Sequence, residues 1–316
     1  MSLAFLFPGQ GSQSVGMGAD LADAFSEARA VFEEVDDALG QKLFRLMRDG
    51  PDEDLTLTEN AQPALMAVSL AVMRVLRSQF GADIDTAAFV AGHSLGEYAA
   101  LAAAASFSLA DAARLLKLRG QAMQRAVPVG EGAMASLIGP KSDVALAESA
   151  ARAGSVAGVC VVANDNNVGN VVISGDRAAV NLAIDAAKAL GARAILLNVS
   201  APFHCPLMAP AAREMAEALV DVTLLAPRAP LVSNVAARPT LDPETIRVGL
   251  VEQVTGRVRW RESMMWMAAE DGGRVTRFAE VGAGKILAGI GRRISPQAEI
   301  VSLSTPADIE RFAQTL

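Results

Sequence analysis

A chain of 316 residues, 52% of them apolar, can build one large domain with an insertion and bury a sizeable core, and it exceeds a peptide-scale module. Its formal charge of −7 argues against nucleic acid or an anionic membrane as the main partner. Scarce aromatics with abundant alanine and glycine suit helices packed closely on a sheet more than a β-sandwich. Cys160 and Cys205 lack metal-ligand spacing and read as small buried hydrophobes in a reducing compartment. No basic leader precedes the apolar run at residues 3–7 and no uninterrupted apolar stretch reaches membrane-spanning length, so a soluble cytoplasmic protein is predicted.

In chain order, residues 3–7 predict a buried strand that ends in the loop Pro8-Gly9-Gln10-Gly11-Ser12-Gln13. A dinucleotide fingerprint fails here, because Ser14 stands at the third glycine position and the chain runs on into helix. The loop is therefore either a plain turn or a source of backbone N–H groups for an oxyanion hole. Periodicity predicts helices over 19–39 and 61–80, the second with Thr58 as N-cap and Pro63 in its first turn. Gln62, beside Pro63, needs no role beyond the surface on this reading.

The stretch Ala91-Gly92-His93-Ser94-Leu95-Gly96-Glu97 follows a short apolar strand at 87–91 and precedes a run of helix formers at 97–105. Gly-x-Ser-x-Gly in that setting reads as a strand-to-helix turn that lifts the Ser94 hydroxyl toward a substrate and a base. The next helix, 109–127, places Ala112, Leu116 and Met123 on its apolar stripe, and Arg119 falls on the same stripe. An inward guanidinium needs an anion, which is either an internal partner or a substrate carboxylate; a snorkelling side chain is the third possibility.

Residues 132–199 predict strands at 133–138, 156–163, 170–174 and 193–199 with helices at 143–153 and 177–190. That βαββαβ order is ferredoxin-like, with Asn164-Asp165-Asn166-Asn167 as its central turn. The main part resumes with Ser200-Ala201-Pro202-Phe203-His204, a helix to about residue 219, a strand at 230–234, helices at 244–254 and 260–269, and a strand at 275–281. Gly282-Ala283-Gly284-Lys285 is not a phosphate loop, since a glycine is missing at Ala279 and a Ser or Thr at Ile286. The chain has two histidines; His93 adjoins Ser94 too closely to take its proton, which leaves His204 as the base if a histidine serves. The expected fold class is α/β, with an α/β-hydrolase-like parallel-sheet core from 1–127 and 200–316 and an inserted ferredoxin-like small subdomain from 128–199.

Phe7-Pro8-Gly9-Gln10-Gly11-Ser12-Gln13, Thr58 through Ala64, Gly92 through Tyr98, Arg119-Gly120, Pro202-Phe203-His204, Leu250-Val251-Glu252-Gln253 and Glu280 through Lys285 together resemble the malonyl-CoA:acyl carrier protein transacylases, relatives of polyketide synthase acyltransferase domains. The resemblance implies Ser94 as the acylated nucleophile, His204 as its base, the N–H groups of Gln10 and Leu95 as the oxyanion hole, and Arg119 as the malonyl carboxylate's clamp. It puts a main-chain carbonyl at Gln253 in the triad's third place, and Gln62 and His93 on the pocket wall. Phe203 stands where many dissociated enzymes carry serine, as in malonyl-selective polyketide acyltransferases, which implies malonyl over methylmalonyl; Ala283 replaces a usual proline. Malonyl-CoA as substrate, no bound cofactor, a holo acyl carrier protein bearing phosphopantetheine as partner, and a monomer are implied as well. A serine hydrolase acting on acyl thioesters uses the same Ser94 and His204, and a carrier-binding module with a decayed site is the reading from another class.

Overall fold

The computed structural model describes residues 2–316. Strand β1 (Leu3–Phe7) is buried along its whole length. Alternation sends Leu3, Phe5 and Phe7 into one core cluster and Ala4 and Leu6 into another, as a period of two requires of a strand covered on both faces. Full burial of Phe5 alone contributes about 1.5–3 kcal/mol.

After the glycine-rich loop come α1 (Ala19–Ala24) and α2 (Ser26–Leu39). The single helix predicted over 19–39 is broken at Phe25, which is extended (φ −131°, ψ 122°). The apolar spacing runs through the break because Leu21 on one side and Val31, Phe32 and Val35 on the other all reach the same core. Two short helices that sequence did not assign, α3 (Leu43–Asp49) and α4 (Asp52–Thr56), lead into α5 (Thr58–Phe80). The predicted cap is corrected here. Thr58 is the first helical residue and Leu57 occupies the cap, so Pro63 lies inside the helix. The Thr58 hydroxyl is instead used across the molecule, donating to Gln10 Oε1 at 2.9 Å.

Strand β2 (Phe89–Gly92) pairs in parallel with β1 and runs through the Ser94 turn into α6 (Gly96–Ala103). Helix α7 (Leu109–Ala126) follows, its start capped by the Ser108 hydroxyl, which accepts from Asp111 N at 3.0 Å. A Cβ on Gly120 would lie 2.4 Å from Glu59 Cα. Glycine there lets α7 approach α5 backbone to backbone, and this sets Arg119 beside Gln62.

The next six elements are β3 (Gly132–Ile138), α8 (Val144–Gly154), β4 (Cys160–Asn167), β5 (Asn170–Asp176), α9 (Arg177–Ala189) and β6 (Arg193–Leu196). Their strands form one antiparallel sheet in the order β4-β5-β3-β6, the ferredoxin-like arrangement. Its helices pack through alanines such as Ala147, Ala151 and Ala183. Three bounds differ from expectation, the first being that β6 stops at Leu196, short of residue 199. Val156, placed at a strand start, is 84% exposed, and β4 begins at Cys160. Asn164 to Asn167 form the end of β4 rather than a turn, and all four are buried. Two of them find distant partners: Arg261 pairs with Asp165 at 2.8 Å, and His93 Nε2 lies 2.9 Å from Asn166 Oδ1, while Asn167 Oδ1 has no partner among the described residues. A backbone bridge between Asn164 and Val258 ties the small sheet to the main body.

The chain returns through α10 (Ala209–Val220), β7 (Leu231–Val232), β8 (Pro239–Thr240), α11 (Pro243–Thr255), α12 (Trp260–Ala268), β9 (Arg277–Val281) and α13 (Ile286–Ile294). Strand β10 (Glu299–Leu303) and α14 (Pro306–Ala313), which sequence did not assign, complete it. The large sheet runs β10-β9-β1-β2-β7-β8, parallel except for β8. Helices α2, α5 and α7 cover one face, and α12 and α13 the other. The fold is α/β, a parallel-sheet core beside an antiparallel sheet. Both cysteines are buried free thiols. No helix among the described residues is long and apolar enough to cross a membrane.

Candidate active site

The C-terminal ends of β1 and β2 meet where open parallel sheets gather their ligands. Here Ser94 adopts a left-handed backbone (φ +54°), a conformation that costs a non-glycine residue of the order of 1–3 kcal/mol. The flanking glycines are sterically required. A Cβ on Gly92 would sit 1.9 Å from the Gly96 carbonyl, and one on Gly96 would sit 2.2 Å from Phe7 O. Asn234, just past β7, holds the turn from outside: its Oδ1 accepts from Ser94 N at 2.8 Å and its Nδ2 donates to Gly92 O at 2.6 Å.

His204, also left-handed (φ +57°) and 3% exposed, places Nε2 2.8 Å from Ser94 Oγ and Nδ1 2.8 Å from Gln253 O. A carbonyl only accepts, so this network assigns the proton to Nδ1 and leaves Nε2 free to take one from Ser94. Burial, reinforced by the Arg119 charge, pushes the His204 pKa down to about 3. Opposite the histidine, the N–H groups of Gln10 and Leu95 have no protein acceptor among the described residues. Leu95 opens α6, whose N-terminal dipole favours negative charge. Gly9 keeps the Gln10 loop close, since a Cβ there would lie 2.8 Å from His93 O.

Arg119 is 1% exposed. Its Nη1 donates to Gln62 Oε1 at 2.7 Å, and its Nη2 to Gln253 Oε1 at 2.8 Å and Ser94 Oγ at 3.2 Å. Its Nε has no partner among the described residues. These partners are amides and a hydroxyl; Glu97 acts on it only through space, and burial lowers its pKa. Of the three sequence readings, the snorkelling side chain and the internal ion pair are therefore set aside. Gln62 is fully buried, not a surface residue. His93 lines the same cleft, its ring 5.5 Å from Trp260 and its pKa lowered by burial. The cleft, about 270 Å³, is closed on the small-sheet side by Met134, Leu197 and Val199, with Phe203 beside His204.

All eight residues singled out by sequence thus converge: Ser94, His204, Gln10, Leu95, Arg119, Gln62 and His93 line the cleft, and Gln253 stands behind them. Sequence reasoning missed Asn234 and the carboxylate of Glu97. Asn234 ends a predicted parallel strand, where a positional signal existed; Glu97 was legible only as part of the serine motif.

The family model described as acyl transferase domain matches residues 4–288. The malonyl CoA-acyl carrier protein transacylase of Escherichia coli strain K12 is 44% identical over 96% of this chain and 96% of its own. The crystal structure of acyl-carrier-protein-S-malonyltransferase from Bartonella henselae superposes with a TM-score of 0.96 at 51% identity, covering 100% of this chain and 99% of the other. A malonyl-transacylase solved in complex with its type II polyketide acyl-carrier protein superposes at 0.95 with 38% identity, covering both chains fully. The chain therefore belongs to the acyl transferase domain family, and within it to the malonyl CoA-acyl carrier protein transacylases.

Proposed function

We propose that this protein transfers a malonyl group from malonyl-CoA to the phosphopantetheine thiol of an acyl carrier protein through a malonyl-Ser94 intermediate. The observation that carries the reading is Arg119: a fully buried guanidinium without an ion-pair partner, 3.2 Å from the Ser94 hydroxyl. A carboxylated acyl group on Ser94 supplies the missing anion, and a planar guanidinium suits it better than lysine would.

In the first half-reaction Ser94 Oγ attacks the thioester carbonyl while its proton passes to His204 Nε2. The Gln253 carbonyl holds the imidazolium in orientation through Nδ1–H. The N–H groups of Gln10 and Leu95 receive the oxyanion, each such donor being worth about 2.7–4 kcal/mol. The tetrahedral adduct collapses, the carbon–sulfur bond breaks, and coenzyme A leaves with the proton from His204. In the second half the carrier's thiol gives its proton to His204 and attacks the malonyl ester, and Ser94 leaves with that proton. No resident cofactor enters either half.

Phe203, 8% exposed and lining the cleft, narrows the space for an α-methyl and favours malonyl over methylmalonyl. The acidic carrier docks on exposed Lys285, Arg292 and Arg293. Its Lys285 end lies next to the cleft, since the adjoining Ile286 Cδ1 is 4.0 Å from where a Cβ on the cleft-lining Gly11 would be. Residues 1–127 with 200–316 act as the catalytic subdomain and 128–199 as the small one, in a cytoplasmic monomer.

The test is to incubate the protein with labelled malonyl-CoA, trap acyl-Ser94, and add either holo carrier or water. Transfer to the carrier supports the reading. Rapid loss of label to water identifies a thioester hydrolase instead, and absence of label a binding module.

A further inference from the structure

The mechanism above leaves one buried ionisable group unused. Glu97, on α6, is 1% exposed and forms no ion pair with Arg119, which influences it only through space. Its Oε1 accepts from Asn234 N at 3.1 Å, and its Oε2 accepts from Gln253 Nε2. Both partners reach onward to the reacting groups. Asn234 holds the Ser94 turn through Ser94 N and Gly92 O. Gln253 holds Ser94 O at 3.0 Å through the same Nε2, and its backbone carbonyl receives His204 Nδ1.

We propose that Glu97 is a positioning residue for acyl transfer, its two oxygens tying the Asn234 segment that sets Ser94 to the Gln253 residue that orients His204. The chemistry of the carboxylate is specific to that role. The Asn234 and Gln253 groups facing it are fixed donors, and the Ser233 hydroxyl beside it turns to donate as well, so an acceptor-only side chain satisfies them together, whereas glutamine in its place turns its NH₂ toward one of the fixed donors. A buried carboxylate without an ion pair is a poor choice for stability alone. It is well placed to couple the serine turn and α6 to two segments, the end of β7 and α11, that lie 137 to 159 residues further along the chain.

The ionised form is the one that accepts twice. Burial raises the Glu97 pKa to about 7, against the Asn234 and Gln253 bonds and the Arg119 charge. Arg119 acts on it from α7 and Tyr98 adjoins it on α6. Arg238 and Glu252 share the cavity behind it, and His204 lies beyond Gln253. Positioning therefore weakens as pH falls through about 7.

The inference rests on the malonyl-transfer reading. Glu97→Gln is compared with wild type in steady-state transfer from malonyl-CoA to holo carrier, and in single-turnover acylation by the malonyl thioester of N-acetylcysteamine, which carries no titrating phosphate. A kcat lower by about 10- to 100-fold, as small misplacements produce, with the malonyl-CoA KM within about twofold, is expected. So is a wild-type acylation rate that falls below pH 7 and a variant rate without that inflection. The two histidines also allow a direct probe, since the His204 Nδ1 proton, downfield in wild type, should move upfield in the variant. Unchanged kcat, a raised KM with kcat intact, or a wild-type rate flat from pH 6 to 8 overturns the proposal. If the variant does not fold, the wild-type profile decides alone. Failure of wild type to form acyl-Ser94 sinks the malonyl reading, and Glu97 is then judged on the His204 proton.

Discussion

Replacing Arg119 by alanine isolates the feature that separates a carboxylated acyl group from a neutral one. The wild-type guanidinium is fully buried, and with three hydrogen bonds to Gln62, Gln253 and Ser94 it retains donors, Nε among them, for a substrate. Its removal leaves a malonyl carboxylate desolvated without a partner, a change worth about 3–5 kcal/mol. At about 1.4 kcal/mol per decade the loss in kcat/KM for malonyl-CoA is roughly 10²- to 4 × 10³-fold. Acetyl-CoA has no carboxylate to lose, and the variant no longer strands a cation against its methyl group, so its kcat/KM holds or rises. Arg119 is also among the largest fully buried side chains, and unfolding midpoints must show that the variant remains native at the assay temperature. The assay is acyl-Ser94 formation from each thioester, quantified by intact mass. An unchanged malonyl-over-acetyl ratio in a folded Arg119→Ala refutes the clamp.

The His204 pKa, depressed by burial to about 3 from the ordinary histidine value of 6.5, makes a signed stability prediction. Unfolding lets this histidine bind a proton that the native state refuses, so its contribution is complete above pH 6.5 and declines as pH falls toward 3, by about 1.4 kcal/mol per unit. Glu97, raised to about 7, has the opposite sign and loses stability as pH rises from 4.5 to 7. Urea titrations at pH 7.5 and 5.5 should therefore show a smaller acid loss for His204→Asn than for wild type, and equal losses would contradict the buried neutral imidazole. Gly92→Ala should fail to fold or lose acylation, because its methyl would overlap the Gly96 carbonyl; a stable, active variant would disprove the tight turn. Phe203→Ser should raise kcat/KM for methylmalonyl-CoA relative to malonyl-CoA, read by competition between the two. Charge reversal at Lys285, Arg292 and Arg293 should raise the KM for the carrier while leaving that for malonyl-CoA unchanged, and an unaltered carrier KM removes the patch.

Much of this arrangement is local chemistry, and local chemistry is legible. The run Leu3–Phe7 announced β1 because a strand buried on both faces has no polar side to interrupt it. The serine turn was readable because the contacts that demand Gly92 and Gly96 lie within a few residues or against the adjacent strand. Helical period alone turned Arg119 inward. Two histidines in the whole chain narrowed the base to His204. The resemblance supplied Gln253, whose carbonyl is a main-chain group that no side-chain pattern marks.

What sequence could not decide was wherever a residue's state depends on a partner far along the chain. Asn164 to Asn167 have the composition of a turn, yet they are strand paired with β5, with Asp165 and Asn166 held at depth by Arg261 and His93. The helix predicted over 19–39 bends at Phe25 because packing, not periodicity, directs its two halves. Thr58 looked like a cap and is spent on Gln10. Glu97 and Asn234 acquire meaning only where α6, β7 and α11 converge. Sequence by itself determined the alternation of elements, the serine turn and the inward arginine, because backbone sterics and side-chain periodicity act over a few residues. The tertiary structure alone decided which donors face which acceptors around Ser94, since those pairings join segments from 25 to 159 residues apart and are set by the packing of the whole sheet.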